Sequence, residues 1–203
     1  YCLGGEEIAS FVSMAVIVPT LIGAAIAVQL CKKYDKFKIF YFSYMFALIL
    51  GIVRYIAGYE NMMVYVILNA LGGFPLGIAA ILQYQFTPDC YEYGQYKTGL
   101  KMRGVTFAAQ TFFTKLNGAV ATAVSVFALT LIGFKEGEGV IQAAGFADKL
   151  WTFSCLGSII GGICTLLILH LYKLNDHDVQ LMSKCNNGEI TREEAEAQMI
   201  NRY

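Results

Sequence analysis

Long runs of hydrophobic residues alternate with short polar segments along most of the chain. Five of these runs reach the roughly 20 residues that a helix needs to cross the hydrocarbon core of a bilayer. None of the five alternates hydrophobic and polar positions with a period of two, which favours helices over the strands of a barrel. The pattern therefore predicts an all-α polytopic membrane protein with five transmembrane helices. They cover approximately residues 8–30, 37–57, 62–86, 105–134 and 150–171.

The hydrophobic pattern stops near residue 174, and residues 175–203 are predominantly polar. An Asn-Asn-Gly sequence at 186–188 is a stop signal for a first helix. Thr191 and Glu194 then have the spacing of a capping box, which opens a second helix. We therefore divide the chain into a transmembrane part, residues 1–174, and a cytosolic helix–turn–helix tail. The tail either binds a regulator or is a solvated terminus.

The third hydrophobic run contains helix-breaking residues near its centre, with the sequence Gly-Gly-Phe-Pro-Leu-Gly at 72–77. Proline removes a backbone donor and kinks helices, and transporters often place interrupted helices where backbone lines a cavity. We therefore expect a kinked or partly unwound segment at Gly73 and Pro75 that lines a cavity. The alternative is that glycine and proline are simply commoner in membrane helices than in soluble ones.

The basic residues lie mostly on one side of the expected membrane. Eleven of the fifteen lie between spans one and two, between spans three and four, or after span five. Lys135 and Lys149 lie on the opposite side, and Arg54 and Lys115 lie within spans. The positive-inside rule assigns the side with eleven basic residues to the cytoplasm, so we expect a cytoplasmic C-terminus. The eleven are Lys32, Lys33, Lys36, Lys38, Lys97, Lys101, Arg103, Lys173, Lys184, Arg192 and Arg202.

The two basic residues within spans differ in depth. Arg54 lies near the outer end of span two, where its stem can reach the interface, and we interpret it as structural. Lys115 lies far from both ends of span four, where a lysine costs about 3 kcal/mol on insertion scales and is usually functional. Small and hydroxyl side chains, including Thr111, share its helical face, so we expect Lys115 and Thr111 to face a wet cavity. The alternative is a lysine paired to a backbone carbonyl for structure.

Composition and charge argue against several classes of function. Hydrophobic residues make up 57% of the chain and charged residues 15%, against about 25% charged in soluble domains. The formal net charge is zero, so no overall field favours nucleic acid. The six cysteines are scattered, which argues against a metal site or a disulfide framework. We find no nucleophile, base and acid set around a pocket, and therefore expect neither enzymatic activity nor a cofactor.

The connection between spans three and four, residues 88–104, is rich in charged and tyrosine side chains, and we expect a cytosolic loop there. A loop of mixed sign can form ion pairs with neighbouring loops, and such pairs can form and break as a transporter changes conformation. The alternative is a solvated turn. Residues at fixed spacing in this loop and in span four are Asp89, Glu92, Tyr93, Lys97, Thr98, Gly99, Lys101, Gly104, Lys115 and Gly118.

This spacing resembles a motif of the glycoside–pentoside–hexuronide:cation symporters, a family that includes the melibiose carriers and has the twelve-helix major facilitator fold. The resemblance covers the whole chain and matches its five spans to helices eight to twelve of that fold. The sequence opens at Tyr1 rather than Met. We therefore expect the C-terminal part of a longer protein, without its beginning.

The resemblance also implies roles for individual residues. Lys115 would line the central sugar cavity, with Thr111 one turn before it. Asp89, Glu92 and Lys101 would belong to a cytoplasmic charge network that closes the inner gate. Lys101 stands where many members of the family have arginine. The remaining gate-motif positions are Tyr93, Lys97, Thr98, Gly99 and Arg103, the last of which is glutamate in many members.

Together these features predict part of a secondary active transporter that couples a sugar or glycoside to Na⁺ or H⁺ by alternating access, in a bacterial inner membrane. The expected partners are the sugar, membrane lipid and the missing N-terminal half. No acidic residue lies deep within a span, so the site of the coupling cation is expected mainly in that half. Two alternatives stay open: a lipid-transporting relative of the same fold, and a sensor-like protein without sugar flux.

Overall fold

The computed structural model describes residues 6–135 and 142–201, which form eight helices. Five helical stretches are long and apolar enough to cross a membrane, which confirms the predicted all-α membrane protein with five spans. They contain α1, α2, α3, α5 and α6. The eight helices are α1 (Glu6–Leu30), α2 (Lys36–Ala57), α3 (Met62–Leu82), α4 (Phe86–Thr98), α5 (Arg103–Ile132), α6 (Phe146–Leu169), α7 (Asp176–Asn186) and α8 (Arg192–Gln198).

The segment expected to be a loop between spans three and four is mostly helical, because α4 follows α3 after a three-residue turn. Pro88 falls in the first turn of α4, where a helix does not need its N–H. Asp89 near the start and Lys97 in the last turn both complement the helix dipole. The loop prediction was therefore wrong for α4, and only residues 99–102 separate it from α5. Because α4 is polar, we place it outside the membrane-spanning part.

The partial unwinding expected in span three is absent, because α3 is helical without interruption through Gly73 and Pro75. Its glycines instead let α1 approach closely. A Cβ atom at Gly77 would lie 1.9 Å from the carbonyl oxygen of Thr20, and one at Gly73 would lie 2.7 Å from that of Val16. Pro75 is fully buried, and membrane helices tolerate proline where neighbouring helices surround it. The glycines of this segment therefore form a helix-packing surface, and Pro75 also borders an apolar groove lined by residues of α2 and α3.

The bundle has two ends, which we name by their contents. The tail end holds the α1–α2 turn, α4, α7 and α8, and a buried apolar cluster of α1, α2 and α3 that includes Ala27, Phe40 and Leu82 lies next to it. The far end holds the α2–α3 turn and the start of α6. There the Trp151 ring lies 5.4 Å from the Tyr59 ring.

The two tail helices pack against the rest of the chain, since α7 contacts both α4 and α8. α7 ends at Asn186, and Gly188 follows with a φ of 78°, which favours glycine. The N–H of Glu194 donates to the Thr191 hydroxyl at 3.2 Å, and the N–H of Thr191 donates to the Glu194 carboxylate at 2.8 Å. The predicted capping box is therefore formed, but the tail is a docked element rather than a free terminus.

The segment after α8 returns to the start of α7 and is fastened there by the buried Asp178. The N–H groups of Ile200 and Asn201 donate to its carboxylate at 2.8 and 3.1 Å. The Asn175 side-chain amide donates to it at 2.7 Å. Burial disfavours the charged form, but these donors hold the pKa of Asp178 below its ordinary value. One buried carboxylate thus closes the tail into a compact unit.

Candidate functional site

Lys36, the first residue of α2, joins three elements at the tail end. Its ammonium Nζ lies 2.7 Å from Oδ1 of Asp89 on α4 and 3.2 Å from Oδ1 of Asp176 on α7. The Lys36 side chain is 17% exposed and that of Asp89 is 6% exposed. An ion pair removed from water to this extent is costly to break from one side, because the remaining charge is left unpaired. Lys36 therefore ties α2, α4 and α7 together.

The N-termini of α2 and α7 meet at this point, and an aspartate at the start of each helix accepts a backbone N–H of the other. Asp35, the N-cap of α2, accepts the Phe37 N–H at 2.9 Å through one oxygen and the Asp176 N–H at 2.8 Å through the other. Asp176 in turn accepts the Lys36 N–H at 2.8 Å. Carboxylates stabilise helix N-termini by accepting unpaired N–H groups and by opposing the helix dipole. The tail is thereby anchored to the start of α2.

The aromatic ring of Tyr172 covers this junction from the end of α6. It stacks on Phe37 with ring centroids 5.3 Å apart. Burial, and then the negative charge of Asp89, raise the pKa of the Tyr172 phenol. Burial also raises the pKa of Asp89, although Lys36 opposes that change. Asp89 is thus a buried carboxylate whose charge is neutralised by Lys36, a residue of this same chain.

Glu92, one turn after Asp89 on α4, contacts the tail. The side-chain amide of Asn186 donates to the Glu92 carboxylate at 2.8 Å and to its backbone carbonyl at 2.9 Å. Farther along α4, the Tyr96 hydroxyl donates to Glu196 at 3.1 Å, and the Arg192 guanidinium lies 4.8 Å from the centre of the Tyr96 ring. The same face of α4 that carries the predicted gate motif is therefore the docking face for α7 and α8.

The other gate-motif residues lie at the end of α4 and the start of α5. The Thr98 hydroxyl donates to the Gly94 carbonyl at 2.8 Å, and Gly99 ends the helix with a φ of 72°. Arg103 lies 5.9 Å from the centre of the Phe107 ring. Lys97 and Lys101 are exposed and form no ion pair within the described ranges. Tyr93 is half-buried on α4.

Lys115 lies in the middle of α5 and is exposed, as is Thr111 one turn before it. The Thr111 hydroxyl donates to its own helix, at the Phe107 carbonyl, at 3.0 Å. Lys115 makes no hydrogen bond or ion pair with any described residue. Ala128 is the only residue of α5 that is buried in the described structure. Within the described residues, no hydrogen bond or ion pair joins Lys115 to the α4 motif, and Gly73 and Pro75 lie on another helix.

Sequence reasoning missed Lys36, which pairs with both Asp89 and Asp176. It also missed Asn186, which donates to Glu92. Asp35 and Asn175 carried a local signal, since each precedes a helix as an N-cap residue. Nothing in the local pattern indicated that the two helix starts meet. Arg54, interpreted as structural, donates to the Asn69 side chain at 3.1 Å.

In the described ranges no group of three or more His, Cys, Asp and Glu side chains could hold a metal ion. The residues described above offer hydrogen bonds and ion pairs, and Lys115 adds an ammonium in mid-helix that has no partner among the described residues. Two regions carry these groups: the gate cluster, defined as Lys36, Asp89, Asp176, Glu92 and Asn186, and the exposed face of α5 around Lys115.

Comparison with known proteins identifies relatives over most of the chain. The family model described as MFS/sugar transport protein matches residues 1–176. An Escherichia coli K12 protein named "Putative sulfoquinovose importer" is 25% identical over 195 residues, 92% of this chain and 40% of that protein. The E. coli K12 protein "Putative glycoside/cation symporter YagG" is 20% identical over 184 residues, 91% of this chain and 40% of that protein. The chain thus spans about two fifths of the length of these relatives. No solved structure gives a significant match.

Proposed function

The chain belongs to the family of MFS/sugar transport proteins, and from that premise we propose that it is the C-terminal part of a cation-coupled sugar symporter. Its relatives include proteins named as a sulfoquinovose importer and as a glycoside/cation symporter. The transport cycle would be alternating access, with the sugar held between this chain and an N-terminal half. The bacterial inner membrane is the proposed location.

The observation that carries this proposal is the position of Lys115. An ammonium in the middle of a membrane-spanning helix is costly in lipid, and such residues mark substrate or ion pathways. No acidic side chain of the described structure neutralises it. Its partner is therefore proposed to be the sugar, a carboxylate of the N-terminal half, or both. Three N–H donors on a compact ammonium suit sugar hydroxyls and anionic substituents.

The coupling cation, Na⁺ or H⁺, would bind mainly in the N-terminal half. A cation site of that kind needs carboxylate or carbonyl oxygens. The acids of the described spans and their borders are either at helix ends or in the gate cluster. Lys115 would then sense the cation through the charge of the carboxylate that binds it.

The tail end is proposed to face the cytoplasm, since ten of the fourteen basic residues that the structure describes lie on its side. In that orientation Asp89 fastens the gate helix α4 within this chain, because Lys36 already neutralises it. Glu92 is the better candidate for contact with the other half. Only one of its carboxylate oxygens, Oε2, accepts a hydrogen bond from the described residues.

The test is uptake by the full-length protein that contains this chain. Proteoliposomes are given a panel of labelled sugars, including sulfoquinovose and glycosides, with either a Na⁺ or a proton gradient. We expect saturable uptake of at least one sugar that collapses when the coupling gradient is removed. Sugar binding without any flux would indicate a sensor, and flux of lipid without sugar would indicate a lipid transporter; either outcome contradicts the proposal.

A further inference from the structure

Two cavities meet on the surface of α1, α2 and α3 at the tail end. The lower one is an apolar groove of 420 Å³ within the membrane-spanning part, lined by Phe42 and Phe46 of α2 and by Phe74 of α3. The upper one is a polar cavity of 570 Å³ between the α1–α2 turn and the segment that joins α6 to α7. Tyr34 and Lys38 line both, so the two cavities share a border.

The polar cavity carries an excess of positive charge. Lys32, Lys33 and Lys38 line it, are exposed, and have no carboxylate within 4.0 Å in the described structure. Its two acids, Asp35 and Asp176, are already occupied by the backbone N–H groups of the helix starts. These hydrogen bonds do not cancel the charge of the two acids, but four lysines, including Lys173, line the cavity against two aspartates. Its net charge is therefore positive, and the complement is an anionic group.

The groove below has the dimensions and the lining of an acyl-chain site. Lys38 and Phe46 are eight residues apart on α2, a rise of about 12 Å at 1.5 Å per residue. That length covers most of one leaflet of the hydrocarbon core, which is about 15 Å deep. Phe42 is 66% exposed and Phe46 is 43% exposed, so the groove opens sideways rather than into the helix bundle.

We propose that this composite cavity binds one anionic phospholipid from the leaflet at the tail end. The phosphate would lie between Lys32, Lys33 and Lys38, and one acyl chain would lie along Phe42 and Phe46. A basic pocket directly above an apolar groove matches both parts of such a molecule. A soluble anion would use only the upper cavity, and a neutral lipid only the lower one. The proposal does not depend on which sugar, if any, is transported.

The experiment is native mass spectrometry of the full-length protein in mild detergent, titrated with phosphatidylglycerol or phosphatidylcholine that have the same acyl chains. Each basic residue near a lipid phosphate contributes about fivefold in affinity. We expect wild type to retain one phosphatidylglycerol at least about fivefold more tightly than phosphatidylcholine. Lys38→Glu should abolish that preference. Since Lys38 lies in the first turn of α2, a glutamate there suits the helix dipole and should not weaken the fold.

Three controls make the outcome decisive. Lys184→Glu makes the same charge change on α7, away from both cavities, and should leave the preference intact. Phe42→Ala should weaken both lipids equally, because it removes groove contact without touching charge. Millimolar glycerol phosphate, which has no acyl chain, should not displace the bound lipid.

Any of three results would overturn the proposal. Equal retention of the two lipids by wild type would mean that charge selects nothing at this surface. Equal effects of Lys38→Glu and Lys184→Glu would mean that only overall charge matters. Displacement of the lipid by glycerol phosphate would mean that the site is one for a soluble anion.

Discussion

Lys36 and Lys115 both belong to membrane-spanning helices, but only Lys36 has charged partners among the described residues. Lys36 has two carboxylates within 3.2 Å and is nearly buried, whereas Lys115 is exposed and has no partner among the described residues. The charge of Lys36 is neutralised by two carboxylates, and these ion pairs hold three helices together. The charge of Lys115 is costly to insert and makes no ion pair or hydrogen bond with the described residues, which is why we propose that its partner is the sugar or a group of the N-terminal half.

The largest expected effect concerns Lys115. In the full-length protein, Lys115→Met should reduce sugar uptake by about 100-fold or more, because it removes charged hydrogen bonds to the substrate. Lys115→Arg should restore little, since a planar fork does not replace a compact ammonium. Uptake is measured at equal amounts of inserted protein. Normal uptake by Lys115→Met would mean that Lys115, like Lys36, has a structural role and does not bind the sugar.

The next effect concerns Asp89, the partner of Lys36. Asp89→Ala leaves the largely buried ammonium with one acid in place of two and should destabilise the protein by about 3 kcal/mol. Thermal unfolding of the full-length protein in detergent measures it. A cycle with Lys36→Met isolates the pair, and the double variant should lose less stability than the sum of the single ones. Strict additivity would mean that the 2.7 Å contact contributes nothing.

The tail should loosen in acid, because Asp178 has a lowered pKa. Its stabilising effect is complete above its ordinary pKa of about 4 and is lost as the pH falls toward the lower, folded-state pKa. The protection factors of the Ile200 and Asn201 amides, which correct for the intrinsic pH dependence of hydrogen exchange, should therefore fall below about pH 4. In Asp178→Asn, these protection factors should already be low at neutral pH and should change little with acid. Protection factors in the wild type that do not change with pH would exclude Asp178 as the residue that holds this segment.

A smaller effect is expected at the contact between the tail and the gate helix. Asn186→Ala removes two hydrogen bonds to Glu92 and should cost about 1–2 kcal/mol, one of them being to a charged group. Limited proteolysis of the tail reports it, with Asn187→Ala, one residue away and exposed, as the matched control. Equal protease sensitivity of the two variants would mean that the amide of Asn186 holds nothing.

The smallest effect is expected for the exposed pair of Arg192 and Glu196. Their atoms lie 3.0 Å apart at adjacent turns of α8, and both side chains are more than half exposed. Exposed pairs of this kind contribute little. Glu196→Gln removes the charge but keeps an oxygen that can accept the Tyr96 hydroxyl. It should therefore leave the melting temperature unchanged within error, and it serves as the baseline for the buried Lys36 pair. A drop as large as that of Asp89→Ala would remove the distinction between buried and exposed charge.

The spans and the capping box could be predicted from sequence because their causes are local. Twenty apolar residues must become a helix in lipid, and Thr191 and Glu194 are close enough in the chain to cap each other. The depth of Lys115 followed from the same count. Its role, like the roles assigned to the gate motif by resemblance, stays a prediction.

The errors arose where the cause was distant in sequence. α4 has a mixed composition that does not by itself indicate a helix. Its buried face packs against the tail, and the contact between Glu92 and Asn186 joins residues 94 positions apart. The glycines of α3 resembled a helix break, but it is the neighbouring α1 that requires them. The Thr20 carbonyl of α1 leaves no room for a side chain at Gly77. Nor does any local pattern pair Lys36 with Asp89, 53 residues away.

The most direct test of the distinction between the two lysines measures stability and sugar binding on the same samples. Lys36→Met and Lys115→Met are made in the full-length protein, and each is assayed for melting temperature and, well below it, for affinity toward the transported sugar. We predict that Lys115→Met melts like wild type but binds sugar about 100-fold more weakly, and that Lys36→Met melts several degrees lower but binds with nearly normal affinity. If Lys115→Met instead loses stability and keeps its affinity, Lys115 is a structural residue and the proposed sugar site is wrong.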